Sequence, residues 1–404
     1  MRRPELDSIL STMLDAAPEV SDLLFTVEKP LQVEAAGELI PVASDPPLTR
    51  LTPYQTEVIA LNLVGENIWQ IKDLLRTGSC DAAYTVLDKA RFRINIFSQR
   101  GNYSIVLRKL NSNVPTLEEL KLPEIINQVP REKTGLVLVT GATGSGKSTT
   151  LAAVLNEFNR TKAIHIITLE DPIEFVHPHL KATFNQRELG TDYDSFASGL
   201  RAALRQAPKV ILVGEMRDRE TVKIALSAAE TGHLVLSTLH TVDAGQTINR
   251  ILGMFETEEQ EQIRLRLADT LRWVISQRLV PKIGGGRWAL LEIMGSNLRT
   301  KETIVQGESE GKTFYEIIES SQSFGWRTFD LSAIDAFEQG LITEETAILY
   351  CSKRGPVTRA IDNMKKARGE NTTELNSLRM KAVTGLGNNG KPAPPPIPAT
   401  LKLK

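Results

Sequence analysis

Gly141-Ala142-Thr143-Gly144-Ser145-Gly146-Lys147-Ser148-Thr149 lies between the apolar run Leu136–Thr140 and a helix-forming run over Lys147–Arg160. A glycine-rich turn from strand to helix that ends in Lys-Ser has the pattern of a phosphate-binding loop. Its glycines let the backbone wrap so that N–H groups point at phosphate oxygens, and the helix adds the positive end of its dipole. These nine residues form the candidate nucleotide site. Lys147 is placed at the β and γ phosphates of ATP, and the Ser148 hydroxyl on Mg2+.

Outward from this loop the chain alternates strand and helix. The spacing predicts Ile164–Leu169 followed by Tyr193–Gln206, Lys209–Gly214 by Asp218–Thr231, and Leu234–Leu239 by Ala244–Phe255. Continuous apolar strands alternating with helices give a parallel sheet covered on both faces. In such a sheet ligands bind beyond the carboxyl ends of the strands. Two strands end there in carboxylates, Thr168-Leu169-Glu170-Asp171 and Leu212-Val213-Gly214-Glu215. We assign Glu215 to polarising the attacking water and Glu170 to a water-mediated contact with Mg2+. Thr231–Thr241 carries a histidine at each end of a strand, with rings on the order of 20 Å apart, so the two act separately. His240, at the carboxyl end, is placed at the γ-phosphate. His233, at the opposite end, is counted with the nucleotide-binding set as a residue facing a neighbouring subunit. His177-x-His179 has no third ligand close by in sequence and is read as a surface loop.

The first 110 residues read as a small α+β domain. Thr52-Pro53-Tyr54-Gln55 has the residues of a capping box with proline at the first helical position, so a helix runs to about Val64. Arg91-Phe92-Arg93-Ile94-Asn95-Ile96 alternates, with Arg91 and Arg93 on one face, and a second strand over Tyr103–Leu110 carries Arg108. Residues 111–134, with Pro115, Pro123 and Pro130, read as an interdomain linker with one or two short helices. The domain beginning near Gly135 continues to residue 366, through a helix over Glu258–Gln277, a hairpin over Arg278–Ile293 and a helical stretch over Leu331–Lys366. Residues 367–404, ending in a proline-rich run, read as a disordered extension.

The 404 residues carry 48 basic and 49 acidic side chains, and aromatic residues make up 5%. A chain so nearly neutral lacks the basic stripe with interleaved aromatics of a nucleic-acid translocase. No apolar stretch approaches the roughly 20 residues of a membrane span, and the N-terminus lacks a secretory pattern, so a cytoplasmic protein is expected. Cys80 and Cys351 are the only cysteines and form no metal-binding pair.

Four stretches in order, GATGSGKST (141–149), TLEDPIEFVH (168–177), VILVGEMRD (210–218) and TGHLVLSTLHT (231–241), resemble the Walker A, Asp box, Walker B and His box of secretion-superfamily ATPases. The resemblance is to the PilT/PilU type that drives type IV pilus retraction, and it covers roughly residues 5–365. It implies an α/β fold, with an N-terminal PAS-like α+β domain followed by a RecA-like P-loop ATPase domain with a helical C-terminal region. By the same resemblance the protein is an Mg-dependent ATPase and a homo-hexamer at the inner face of the bacterial inner membrane. Its implied partners are the inner-membrane pilus platform protein and a paralogous retraction ATPase. Arg91, Arg93 and Arg108 match the arginines that the family's N-terminal domain supplies across the subunit interface.

The chain departs from that family in two places. Gln206-Ala207-Pro208-Lys209 stands where members read acidic-Pro-acidic, which is expected to alter charge near the site. Residues 302–309 read ETIVQGES where the family carries a motif bearing arginines, and their loss resembles the accessory PilU-like branch. These departures leave a second reading, a nucleotide-binding regulatory subunit with little hydrolysis of its own, and a third, a related secretion-system ATPase.

Overall fold

The computed structural model describes residues 3–44, 48–86, 89–110 and 113–369. The proline-rich extension from 370 onward lies outside them.

The N-terminal part runs α1 (Arg3–Leu14), β1 (Val20–Phe25), β2 (Gln32–Ala35), β3 (Glu38–Pro41), α2 (Pro53–Val64), α3 (Ile68–Thr77), β4 (Ser79–Val86), β5 (Ala90–Gln99) and β6 (Asn102–Lys109). Its strands form an antiparallel six-stranded sheet in the order β3-β2-β1-β6-β5-β4. The helix α2 starts where the capping box requires, with Thr52 accepting from the Gln55 amide and Gln55 accepting from the Thr52 amide. On β5 the alternation buries Phe92, Ile94 and Ile96 against helices α1 to α3 and turns the arginines away.

The next part runs β7 (Gly135–Thr140), α4 (Lys147–Thr161), β8 (His165–Glu170), β9 (Thr183–Glu188), α5 (Phe196–Ala203), β10 (Val210–Val213), α6 (Arg219–Glu230), β11 (Leu234–Leu239), α7 (Ala244–Leu252), α8 (Thr257–Thr270), β12 (Leu271–Pro281) and β13 (Arg287–Gly295). The seven-stranded sheet has the order β13-β12-β7-β11-β10-β8-β9, parallel except for β13. Along β7, Leu136 and Leu138 enter a core with α5 to α8, while Val137 and Val139 enter a second core with α4. That two-sided burial is why its strands are continuously apolar.

Two expectations differ from the structure, and one strand is not announced by the sequence. The helix read through Gln277 stops at Thr270, because Leu271–Ser276 pairs in parallel with β7 and the run Trp273-Val274-Ile275 favours a strand. β9, largely polar in sequence, is the edge strand beside β8. The stretch read as a linker is built into the second core, where Leu117, Ile126 and Val129 are buried beside α4. After β13 come α9 (Leu298–Gln306), α10 (Phe314–Ser320), α11 (Phe329–Glu338), α12 (Glu344–Tyr350) and α13 (Arg354–Ala367). The last three close a small core of their own with Val280 and Leu290 of the hairpin.

Candidate functional site

The carboxyl ends of β7, β8, β10 and β11 open into a cleft of about 420 Å3, bordered by Thr143–Thr149 of the loop, Glu170, Glu215, Thr238 and His240. Three loop glycines have left-handed φ, Gly141 at 145°, Gly144 at 78° and Gly146 at 86°. At two of them space forbids a side chain as well. A Cβ on Gly141 would lie 2.4 Å from the Gln277 carbonyl oxygen, and one on Gly146 would lie 2.8 Å from the Gln277 amide nitrogen.

Lys147 is buried at the first position of α4, and its Nζ donates to the carbonyls of Gly141 at 2.9 Å and Ala142 at 3.0 Å. Desolvation pulls its pKa down, opposed by the nearby carboxylates of Glu215 and Glu174. A phosphate arriving at the loop supplies the anion that such a lysine lacks. The side chain of Ser148, half-buried on the same turn, makes no hydrogen bond among the described residues.

Glu215 follows β10 and is buried, with Oε1 paired to Arg217. Its Oε2 is buried without a hydrogen-bond partner, and His240 Nε2 stands 3.4 Å away from it. His240 is exposed and reaches Thr143 of the loop, Nδ1 to Oγ1 at 3.5 Å. Thus Lys147, Glu215 and His240 face one space. Glu170 differs from Glu215. Burial pushes its carboxyl up to about 7, against hydrogen bonds from Thr168 Oγ1 at 2.6 Å and Gln186 Nε2 at 3.1 Å. A carboxyl held so near neutrality suits contact through water better than direct ligation of a cation.

The three arginines of the N-terminal sheet differ in their partners within the chain. Arg91 Nη2 lies 2.6 Å from Glu188 of β9, a partner in its own chain. Arg108 Nε lies 2.9 Å from Asp22 of β1. The Arg93 side chain is exposed and makes no hydrogen bond or ion pair among the described residues. With Arg108 it borders a cleft of about 640 Å3 that shares Thr149, Pro172, Glu174 and Phe175 with the phosphate cleft. In a single chain, then, Arg93 and Arg108 border a cleft next to that chain's own phosphate cleft, and Arg91 is engaged by Glu188.

His233 is not brought to the cleft. It sits before β11, at the amino ends of the strands, where Nδ1 is 3.1 Å from the Ala228 carbonyl. Lys209 is at the same edge, with its amide donating to the His165 carbonyl and its carbonyl accepting from Leu234. At about 3.3 Å per residue it is roughly 20 Å from Glu215, so within one chain Ala207 and Lys209 stand away from the cleft. His177 is no surface residue either. It is buried, stacked on Phe184 at 4.5 Å between ring centroids, and desolvation lowers its pKa to about 4. Sequence reasoning also passed over Arg217, two residues beyond Glu215, and Gln277, whose stretch read as the end of a helix.

Residues 82–319 match the family described as Type II/IV secretion system protein. The type IV pilus ATPase PilU of Pseudomonas aeruginosa is 38% identical over 86% of this chain and 88% of that protein. The type IV pilus retraction ATPase PilT of the same organism is 42% identical over 81% and 93%. The chain belongs to this family. Among solved structures, the pilus retraction motor PilT with bound ADP superposes with a TM-score of 0.77 at 41% identity, over 87% of this chain and 98% of that one. Its loop, Walker B carboxylate and His box therefore stand in an α/β scaffold shared with a nucleotide-bound motor.

Proposed function

We propose that this protein is an ATP-hydrolysing motor of type IV pilus retraction, acting as a hexameric ring on a pilus platform protein at the inner membrane. The single observation that carries hydrolysis is the Glu215 carboxylate, buried with one oxygen unpartnered and facing the cleft of Lys147. A stranded acceptor there is suited to orient a water for attack on a terminal phosphate. Lys147 would leave its loop carbonyls for the β and γ phosphates. His240, bridging the space between Thr143 and Glu215, would contact the γ-phosphate.

Mg2+ fits the chemistry of the donors, all hard oxygens: the unbonded Ser148 hydroxyl directly and Glu170 through water. When bound it would neutralise charge on the β and γ phosphates. Arg93 and Arg108 would add positive charge from the N-terminal sheet, which we assign to a PAS-like domain. In a ring, a neighbouring subunit would close the open side of each cleft.

Steady-state ATPase assay of the purified chain, with light scattering in the presence of an ATP analogue, tests the proposal. The expected result is Mg2+-dependent turnover by a hexamer. A monomer at micromolar concentration sinks the ring, and a hexamer that binds ATP without turning it over leaves the regulatory-subunit reading in its place.

A further inference from the structure

The hairpin strand β12 runs beside β7, with Ser276 opposite Thr140 and their hydroxyls 3.0 Å apart. β7 ends there and the phosphate loop begins, but β12 continues behind it. Gln277 is buried at that height. Its side-chain Oε1 accepts from Thr150 Oγ1 at 2.7 Å, on the first turn of α4. Its backbone carbonyl occupies the Cβ space of Gly141 together with the Ser145 hydroxyl, and its side-chain amide is the group nearest the Cβ space of Gly146, ahead of Leu279. One residue therefore backs both the entry and the exit of the loop.

The next residue faces the other way, as strand alternation demands. Arg278 lies with its guanidinium 3.8 Å from the centre of the Phe329 ring, at the start of α11, and Nη1 donates to the Tyr350 carbonyl at 2.6 Å, at the end of α12. These contacts are partly desolvated, where a cation over an aromatic face is strongest. Two consecutive side chains on one hydrogen-bonded strand thus hold the phosphate loop on one side and the C-terminal helices on the other.

We propose that Gln277 is a positioning residue that fixes the phosphate loop from behind, and that Gln277 and Arg278 together link loop geometry to α11 and α12. This rests on the ATPase reading above. A nucleotide that shifts the loop shifts Gln277, and the strand passes the displacement to the Arg278 contacts. Because cores and interfaces repack between discrete arrangements, a small shift at the loop is enough to bias the helices.

The test uses the full chain and ADP. Gln277→Leu keeps the volume but strands the Thr150 hydroxyl, and is expected to weaken ADP binding about tenfold, the scale of one buried hydrogen bond. Thr150→Val removes the same bond from the helix side and carries the same expectation if Gln277→Leu does not fold. The double variant should bind no worse than either single one. Arg278→Met should bind ADP within about threefold of wild type, yet lose the ADP-dependent change in amide hydrogen exchange over Phe329–Tyr350 that the wild type shows. Equal ADP affinity for wild type and Gln277→Leu, even with a lower melting temperature, marks a merely structural role and overturns the proposal. So does an exchange response in the helices that is absent in wild type or survives Arg278→Met. Failure of the wild type to bind ADP at all overturns the ATPase reading itself, and this inference with it.

Discussion

The two edges of the seven-stranded sheet carry similar residue types in different physical states. At the carboxyl ends, Lys147 and Glu170 are desolvated with perturbed pKa values, and Glu215 has a buried oxygen without a partner. At the amino ends, His165 Nε2 pairs with Asn185 at 2.8 Å, His233 pairs with a helix carbonyl, and Lys209 is exposed to solvent. Polar groups at the second edge are satisfied locally. Those at the first are desolvated around an open cleft, with one Glu215 oxygen making no hydrogen bond, which is where binding and chemistry gain most from a ligand. Histidine at both ends of one strand therefore does not imply one function for both.

The largest expected effect concerns the loop. Lys147→Ala should weaken ATP or ADP binding by about a hundredfold or more, since a charge-assisted contact to phosphate is lost in a partly buried site; calorimetric titration checks it. Retained affinity would remove the contrast between the edges.

Next comes a pH effect from Glu170. Its folded pKa, about 7, lies above the ordinary 4.5. A carboxyl raised on folding leaves stability intact below about pH 4.5 and withdraws it as pH rises through about 7, by roughly 3 kcal/mol in full. Glu170→Gln should therefore have a melting temperature that falls less between pH 5 and pH 8 than the wild type does. Glu292, buried beneath α7 and also pushed up to about 7, contributes in the same direction and remains in the variant. Parallel melting curves for the two proteins would show that Glu170 is ionised in the fold.

Much of this was legible in the sequence because it is local. The phosphate loop, the capped α2, the alternation of β5 and the carboxylates ending β8 and β10 are each set by a few adjacent residues. Other features depend on distances between segments. Whether Arg91 is free is decided by Glu188 on β9, a polar edge strand without an apolar pattern to announce it. The helix read through Gln277 failed because α8 passes into β12 with no turn residue between them. His177 stands in a proline-flanked stretch without strand or helix periodicity, and it is stacked on Phe184 of β9, a strand the sequence does not announce.

The smallest expected effect lies at the amino-end edge. Lys209→Ala should leave ATP turnover within about twofold of wild type, because a charge on the order of 20 Å away across solvent is screened at physiological salt. A larger change would mean that this edge is coupled to the cleft.

The two edges are compared most directly by measuring ATP turnover and ATP affinity of Glu215→Gln and His233→Ala beside the wild type. The account predicts that Glu215→Gln keeps its affinity and loses turnover by about a hundredfold or more, the scale of a lost general base, while His233→Ala turns over within about threefold of wild type. Wild-type turnover by Glu215→Gln, or an equal loss in both variants, would contradict it.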